Sequence, residues 1–238
     1  MTLSVCILLK DNYSNLLSCL DSIKDIADEI IIINASGKPL EHSFVENKLY
    51  YENSSINTKI IDYKWDDDFS NARNTGLKEA TCQWILSLDA HDTVGNPTGI
   101  LPYLNSQNDY FFLKFFEDNL SEKESTEIID LELDVQAPRD TFDDATSLEV
   151  KPMLIKNAKN LKYQGRIYEA LSGTNYNNKG IFLDLKIANV NIHHNFISKS
   201  HYIDEINNTK SILNLAISDG AHRKLFYQAK LLTLNISQ

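Results

Sequence analysis

The stretch from Trp65 to Asp92, WDDDFSNARNTGLKEATCQWILSLDAHD, constrains the fold of this chain more than any other segment. An acidic loop leads into apolar and small residues at helical spacing, which predicts a helix whose first turn is capped by Ser70. The apolar run Trp84–Leu88 then predicts a central strand that is covered on both faces. Metal-competent side chains follow this strand at once: Asp89, His91 and Asp92. Open α/β sheets keep their ligand sites at this carboxyl end of the strands.

The segments before and after this stretch predict a mixed sheet. Before it, a helix that begins near Ser14 alternates with the strands Leu3–Leu9, Glu29–Ile33 and Thr58–Tyr63, which is typical of a parallel, doubly wound sheet. The chain has no GxGxxG motif, so a dehydrogenase-type dinucleotide fold is not supported. Later strand candidates are expected to be antiparallel and to complete the mixed sheet. They are Asp109–Phe116, Ile129–Gln136, Val150–Lys156 and Ile181–Ile192, with a polar loop at Pro138–Ser147.

The last forty residues have helical patterns. One apolar stripe starts near Ser200 and ends at Gly220, and a second follows it, which predicts an αα-hairpin. We therefore expect two domains: residues 1–195 form the α/β domain, and residues 196–238 form a C-terminal helical hairpin.

Charge and cysteine content narrow the partners and the compartment. The net charge of −10 argues against a duplex nucleic acid, which would need a basic face. Three cysteines without a CxxC pair indicate buried free thiols in a reducing compartment. No signal peptide opens the chain and no apolar run approaches the ~18 residues of a membrane span. The expectation is a cytoplasmic protein without a transmembrane segment. Peripheral contact with the membrane and a homodimer both stay open.

The motifs DDFSNARNTGL and WILSLDAHD resemble the core of family-2 glycosyltransferases. The similarity is greatest to the branch that has DDFSxARNxGL and WILxLDADE, which includes bacterial S-glycosyltransferases of bacteriocin peptides and many surface-polysaccharide enzymes. The resemblance implies an α/β nucleotide-diphospho-sugar transferase fold of the GT-A type. It also implies an inverting, metal-dependent transfer from a nucleotide-diphosphate sugar, such as a UDP-sugar, to a peptide or glycan acceptor. In this family, tetratricopeptide-type repeats often begin where the helical hairpin is predicted.

Asp89-Ala90-His91 takes the place of the family's Asp-x-Asp metal motif. A divalent ion there acts as a Lewis acid on the diphosphate leaving group, which makes Asp89 both a metal ligand and a catalytic residue. Because His91 supplies an imidazole, the expected ion is Mn²⁺ rather than Mg²⁺. His193 lies where the family has an Ile-x-His segment and is a third candidate ligand. The alternatives are that Asp89 and Asp92 only cap the next segment, and that His193 is structural or solvated.

The resemblance also implies a donor-nucleotide pocket. Its expected residues are Asp11, Asn34, Asp67, Asp68, Arg73, Asn74 and Arg166. Arg73 can bridge phosphate oxygens, although an ordinary surface ion pair with Asp67 or Asp68 is the alternative. Asn34 stands where the family has an acid, and it can contact a base or ribose or simply form a turn.

Arg166-Ile167-Tyr168-Glu169 resembles the family's Arg-Ile-His-Glu segment, which implies that Glu169 is the general base. A surface glutamate near a strand end is the alternative. Two other functions stay open. The replacements Asn34, His91 and Tyr168 allow a catalytically inactive relative that serves as a binding module, and His91-Asp92 allows a metal phosphohydrolase.

Overall fold

The structure is a computed structural model that describes residues 1–10, 13–41, 45, 56–106, 110–118, 150–158, 160–167, 169–172, 187–195 and 199–218. The helices are α1 (Tyr13–Ile23), α2 (Phe69–Glu79) and α3 (Lys199–Ser218), with a 3-10 helix at Pro97–Asn105. The strands are β1 (Leu3–Leu9), β2 (Glu29–Asn34), β3 (Asn57–Asp62), β4 (Trp84–Asp89), β5 (Asp92–Val94), β6 (Tyr110–Asp118), β7 (Val150–Lys156), β8 (Lys162–Gln164), β9 (Ala170–Ser172) and β10 (Ile187–Asn195).

Among these described residues, eight strands form one mixed sheet in the order β3-β2-β1-β4-β7-β6-β10-β5. The strands β1 to β4 are mutually parallel, while β7 runs antiparallel to both of its neighbours. The predicted mixed sheet is thus confirmed. One detail differs, because β10 pairs in parallel with β6, and only β5 and β7 run against the other strands. The strands β8 and β9 form a separate antiparallel hairpin.

Three sequence predictions fall outside the described residues. They are the alternating strand Ile129–Gln136, the polar loop Pro138–Ser147 and the second helix of the C-terminal hairpin.

Two apolar layers cover the parallel strands. The α1 side of the sheet buries Leu16 and Leu20, together with the long apolar residues of β1, β2 and β4. The α2 side is thinner, because Gly76 lets the helix approach β1 and β2 closely. A Cβ atom at Gly76 would lie 2.8 Å from Cδ1 of Ile33 and 3.3 Å from Cβ of Cys6. Only glycine therefore fits here without a shift of these neighbours.

A buried carboxylate holds the amino-terminal edge of the sheet together. Glu29 accepts hydrogen bonds from Oγ of Ser4 (2.6 Å), from the backbone N–H of Thr81 (2.8 Å) and from Oγ1 of Thr81 (3.1 Å). Nζ of Lys59 lies 3.4 Å from the same carboxylate. Burial by itself raises the pKa of Glu29, but these hydrogen bonds and Lys59 outweigh burial and hold the pKa below its usual value.

The carboxyl-terminal edge carries the polar residues. The parallel strands β1, β2, β3 and β4 all end there, and helix α3 packs beside this edge. Ile212, Leu213 and Ala216 of α3 form a cluster with Ile167, and the side chains of Trp65 and Phe69 pack against that cluster. Helix α3 therefore supports the acidic loop and the segment that leads to Glu169.

The three cysteines are free thiols, as the sequence predicts, although Cys82 is only half-buried. Among the described helices, none combines the length and the apolar character needed to cross a bilayer.

Candidate active site

A tight turn follows β4 and presents the predicted metal motif. The carboxylate of Asp92 is fully buried, and it accepts the backbone N–H of Asp89 at 2.8 Å. Asp92 therefore stabilises the turn from within. The buried Nε2 atom of His91 lies 4.0 Å from Oδ1 of Asp92. Asp89 and His91 remain as the two candidate ligands of the turn.

The guanidinium of Arg73 joins the two predicted catalytic carboxylates. Its Nη2 donates to Oδ1 of Asp89 at 2.8 Å, and its Nε donates to Oε1 of Glu169. Its Nη1 donates to Oγ of Ser87 at 3.3 Å. Asp89 and Glu169 are 80 residues apart in the sequence, yet one side chain of α2 binds both of them. The structure thus brings the predicted strand-end acid and the predicted base into one site.

This cluster is mostly shielded from water. The side chain of Arg73 is 6% exposed, and those of Asp89 and Glu169 are 17% and 12% exposed. Burial by itself lowers the pKa of the guanidinium, but Asp89 and Glu169 together raise it above its usual value, so Arg73 stays charged. Two carboxylates share one positive charge, which leaves a net negative site that can attract a divalent cation.

Arg73 is buried and pairs with Asp89 and Glu169 rather than forming a surface ion pair with the acidic loop, while its contact with the donor nucleotide stays a prediction. All three guanidinium nitrogens already donate within the protein, to β4 and to the segment that carries Glu169. Arg73 thus lies in the candidate site, where it contacts the two carboxylates that are predicted to be catalytic.

Asn74 also has a different role from the predicted one. Its Nδ2 donates to the carbonyl of Tyr163 at 2.9 Å, and its Oδ1 accepts the N–H of Tyr163 at 2.7 Å. The amide thus binds the backbone of β8 in the way that a neighbouring strand would. Asn74 therefore positions the hairpin that contains Glu169, and its place in the nucleotide pocket stays a prediction.

The acidic loop before α2 is stabilised by its own carboxylates. Asp68, and not Ser70, caps the helix, because its side chain accepts the N–H of Asn71 at 3.0 Å. Asp67 has a positive φ of 56°, and its carboxylate accepts the indole N–H of Trp65 at 2.8 Å. The predicted pocket residues Asp67 and Asp68 therefore shape the loop from within.

The segment after β8 docks onto this loop. Ser70 donates its hydroxyl hydrogen to the carbonyl of Gly165, and the N–H of Phe69 donates to the carbonyl of Arg166 at 2.8 Å. Nη1 of Arg166 lies 3.3 Å and 3.4 Å from the carbonyl oxygens of Asp66 and Asp67. These bonds attach the segment of Arg166 to the acidic loop, and the hydroxyl of Ser70, inside the first turn of α2, takes part in this attachment.

Asn34 lies at the end of β2 with its amide already engaged. Nδ2 donates to the carbonyl of Lys38 at 2.7 Å and to Oδ1 of Asp62 at 2.8 Å, while Oδ1 accepts the hydroxyl of Ser36 at 2.6 Å. Both amide hydrogens are therefore used inside the protein, and a contact of Asn34 with a base or ribose stays a prediction. The turn interpretation describes this residue better.

The structure says little about three further residues named in the sequence analysis. Asp11 and Tyr168 lie outside the described residues, and only the backbone is described for His193. For His193, the backbone register pairs it with Thr93 across the antiparallel β10–β5 ladder and places His194 opposite Asp92. The fold therefore brings the backbone of His193 next to the strand that begins directly after His91.

The turn holds two potential ligands of a divalent ion, Asp89 and His91, and a metal site there stays a prediction. Within the described residues, no three His, Cys, Asp or Glu side chains are close enough to form a metal cluster by themselves. Asp89 and His91 offer one carboxylate and one imidazole, a donor set that suits Mn²⁺.

Two site residues escaped the sequence analysis. Ser87 is a polar residue inside the apolar run of β4, and it binds Arg73. The ring of Tyr163 lies 6.0 Å from Cζ of Arg73. Burial raises the pKa of Tyr163 to about 12, although Arg73 acts in the opposite direction, so the phenol stays neutral beside the guanidinium. The single serine in the run WILSLD was the available signal for Ser87; Tyr163 gave none.

The mixed sheet and the acids at its carboxyl edge define a nucleotide-diphospho-sugar transferase fold. The sequence profile described as "Glycosyl transferase family 2" matches residues 4–122, and the chain belongs to this family. The family predicted from the two motifs is thereby confirmed.

Two curated relatives are each similar to about a third of the chain. One is the "TPR repeat-containing protein Synpcc7942_0270" of Synechococcus elongatus, 33% identical over 89 residues, which are 37% of this chain. The other is the "SPbeta prophage-derived glycosyltransferase SunS" of Bacillus subtilis, 29% identical over 94 residues, also 37% of this chain. The matched part spans only 20% of the length of either relative.

Solved structures confirm the fold. The crystal structure of S. aureus TarS 1-349 matches with a TM-score of 0.51 at 12% identity, covering 100% of this chain and 71% of that one. The complex of the same protein with UDP-GlcNAc also matches with a TM-score of 0.51 at 12% identity, covering 97% and 70%. A mycobacterial protein matches with the same TM-score and identity, covering 92% and 75%.

Proposed function

We propose that this chain is an inverting glycosyltransferase that moves a sugar from a nucleoside-diphosphate donor to a peptide or glycan acceptor. Glu169 takes the proton of the acceptor nucleophile as it attacks C1 of the sugar, while the diphosphate leaves toward Asp89. The observation that carries the proposal is the convergence of Asp89 and Glu169 on Arg73 at the carboxyl edge of the parallel strands. The base and the leaving-group site must both lie near the reacting carbon, and the shared contact with Arg73 supports the assignment of these two roles to Glu169 and Asp89.

Asp89 and His91 are proposed to hold a Mn²⁺ ion, with Mg²⁺ as a poorer substitute. When bound, the ion supplies Lewis-acid stabilisation of the leaving diphosphate. The buried carboxylate of Asp92 fixes the turn that presents both ligands, through its bond to the N–H of Asp89. Such support keeps the ligands in place before the ion arrives. His193 is proposed as a further ligand because its strand pairs with β5.

We propose residues 1–195 as the catalytic domain. Helix α3, at the start of the proposed C-terminal part 196–238, contacts Ile167 and so supports the segment of Glu169. The choice of UDP-GlcNAc as the first donor to test follows from the similar structure that holds it.

A binding module without turnover is the second candidate. It is favoured by the ion pair between Arg73 and Glu169, because a neighbouring guanidinium stabilises the ionised carboxylate and so makes it a weaker base. The phosphohydrolase alternative loses its basis, since the carboxylate of Asp92 is buried and bound to the N–H of Asp89.

The test is a donor-consumption assay with a panel of nucleotide sugars, Mn²⁺ or Mg²⁺, and peptide and glycan acceptors. Mass spectrometry of the acceptor distinguishes transfer from donor hydrolysis. Glu169→Gln should lower transfer by about 10²–10⁴-fold while donor binding, measured by calorimetry, survives. Asp21→Asn, an exposed carboxylate of α1, is the matched control and should leave both quantities unchanged. Donor binding without transfer in the wild type would favour the binding module, and release of inorganic phosphate without transfer would favour the phosphohydrolase.

A further inference from the structure

Arg73 makes contacts that its expected role as a donor ligand does not account for. Its guanidinium is buried between α2, the end of β4 and the segment after β8. Nε faces Glu169, Nη2 faces Asp89, and Nη1 faces Ser87. Each nitrogen of the planar group thus binds an oxygen, and two of those oxygens belong to the proposed base and the proposed leaving-group site.

The next residue of the same helix binds the same segment. Asn74 forms two hydrogen bonds with the backbone of Tyr163, and the ring of Tyr163 lies 6.0 Å from Cζ of Arg73. Two consecutive residues of α2 therefore bind this hairpin: Asn74 binds the backbone of β8, and Arg73 binds the carboxylate of Glu169, which directly precedes β9. Because Arg73 also binds Asp89, its side chain is a direct connection between that segment and the end of β4.

We propose that Arg73 is a positioning residue that sets the place of Glu169 relative to Asp89 and acts on catalysis only through these two carboxylates. The inference rests on the proposed function, in which Glu169 is the base and Asp89 lies beside the leaving group. A guanidinium suits this role better than an ammonium, since its donors project in one plane at fixed angles and can bind separate oxygens at once. A displaced base is costly, because a misplacement of about 1 Å can lower a rate by about 10²-fold.

A double-mutant cycle between Arg73→Lys and Glu169→Gln tests this role. Lysine keeps the charge but loses the fork. Arg73→Lys should lower kcat by about 10²-fold and change the donor Kd, measured by calorimetry, by less than about 3-fold. In the Glu169→Gln background the same substitution should lower kcat by less than about 3-fold, because residues that act as one unit are not additive. Lys78→Gln removes a charge from the exposed face of the same helix and should leave kcat and Kd unchanged.

Two outcomes would overturn the inference while the proposed function stands. One is a donor Kd that rises at least tenfold in Arg73→Lys with kcat kept, which would make Arg73 a donor ligand. The other is a full, additive loss of kcat in the double mutant, which would show that Arg73 does not act through Glu169. A wild type that transfers no sugar from any donor would instead overturn the proposed function, and the catalytic part of this inference with it.

A substitution at Arg73 could unfold the chain, which circular dichroism would reveal. Glu169→Asp then tests the same contact from the other side, since it keeps the carboxylate but withdraws it from Nε of Arg73. The expected result is a loss of kcat of at least about tenfold with an unchanged donor Kd. Full turnover in Glu169→Asp would overturn the inference.

Discussion

Replacement of Asn74 by alanine should loosen the hairpin that leads to Glu169. The substitution removes two hydrogen bonds to Tyr163, of 2.9 Å and 2.7 Å, and leaves a backbone N–H and a backbone carbonyl without these partners. Each bond contributes about 1 kcal/mol, and each stranded backbone group adds a penalty that water reduces at this half-buried position. We expect a local loss of about 2–3 kcal/mol, which corresponds to an increase of roughly 30–150-fold in local opening.

Hydrogen exchange followed by mass spectrometry measures this change directly. Peptides that cover residues 162–172 should exchange faster in Asn74→Ala, while peptides from β1 and β2 should not. Turnover should fall, because Glu169 loses its support, while donor affinity is retained. Asn71→Ala on the same helix is the matched control, since its side chain binds Asp66 and not the hairpin. Unchanged exchange at 162–172, or a donor affinity that falls as much as turnover, would refute the reasoning and return Asn74 to the nucleotide pocket.

Three further predictions concern stability and metal binding. Glu29→Gln should lower the thermal unfolding temperature at pH 6–8. The pKa of Glu29 is lower in the folded protein than in the unfolded chain, where it is about 4.3. The Glu29 carboxylate therefore stabilises the fold at pH values above about 4.3, and this stabilisation is lost as the pH falls through the folded pKa. The difference in unfolding temperature between Glu29→Gln and the wild type should accordingly shrink below about pH 4.5. Leu213→Ala should cost about 2–4 kcal/mol in denaturant unfolding, since this side chain is fully buried against the segment of Glu169; a cost near zero would contradict the packing. Asp89→Asn should abolish Mn²⁺-dependent donor binding in calorimetry, and His91→Asp should shift the preference toward Mg²⁺; equal transfer in the presence of a chelator would remove the metal role.

The sequence by itself determined the family and the framework of the sheet. The apolar runs at Leu3–Leu9 and Trp84–Leu88 predict central parallel strands, because residues buried on both faces leave a continuous hydrophobic signal. Asp89 at the end of β4 was predictable for the same reason, since it directly follows such a run. The sequence could likewise predict that the family motif forms part of the site, because the residues of the motif are close together in the chain. The same local information did not give the strand direction of β10, which depends on its partner β6.

The contacts of the motif's side chains depend on the tertiary structure and could not be predicted from the sequence. Arg73 and Asn74 look like donor ligands in the sequence, and their actual partners are Glu169 and the backbone of Tyr163, about 90 residues further along the chain. A sequence pattern records residue type and spacing, but it cannot state which distant segment will dock onto a helix. The cap of α2 shows the same limit on a shorter scale. Asp68 and Ser70 are both good caps, and Asp68 has this role because the helix begins at Phe69, directly after the extended backbone of Asp68. Ser70 lies inside the helix, and its hydroxyl donates to the carbonyl of Gly165. Hydrogen-bond partners are chosen by the whole fold, since each donor and acceptor must be satisfied once the chain is packed.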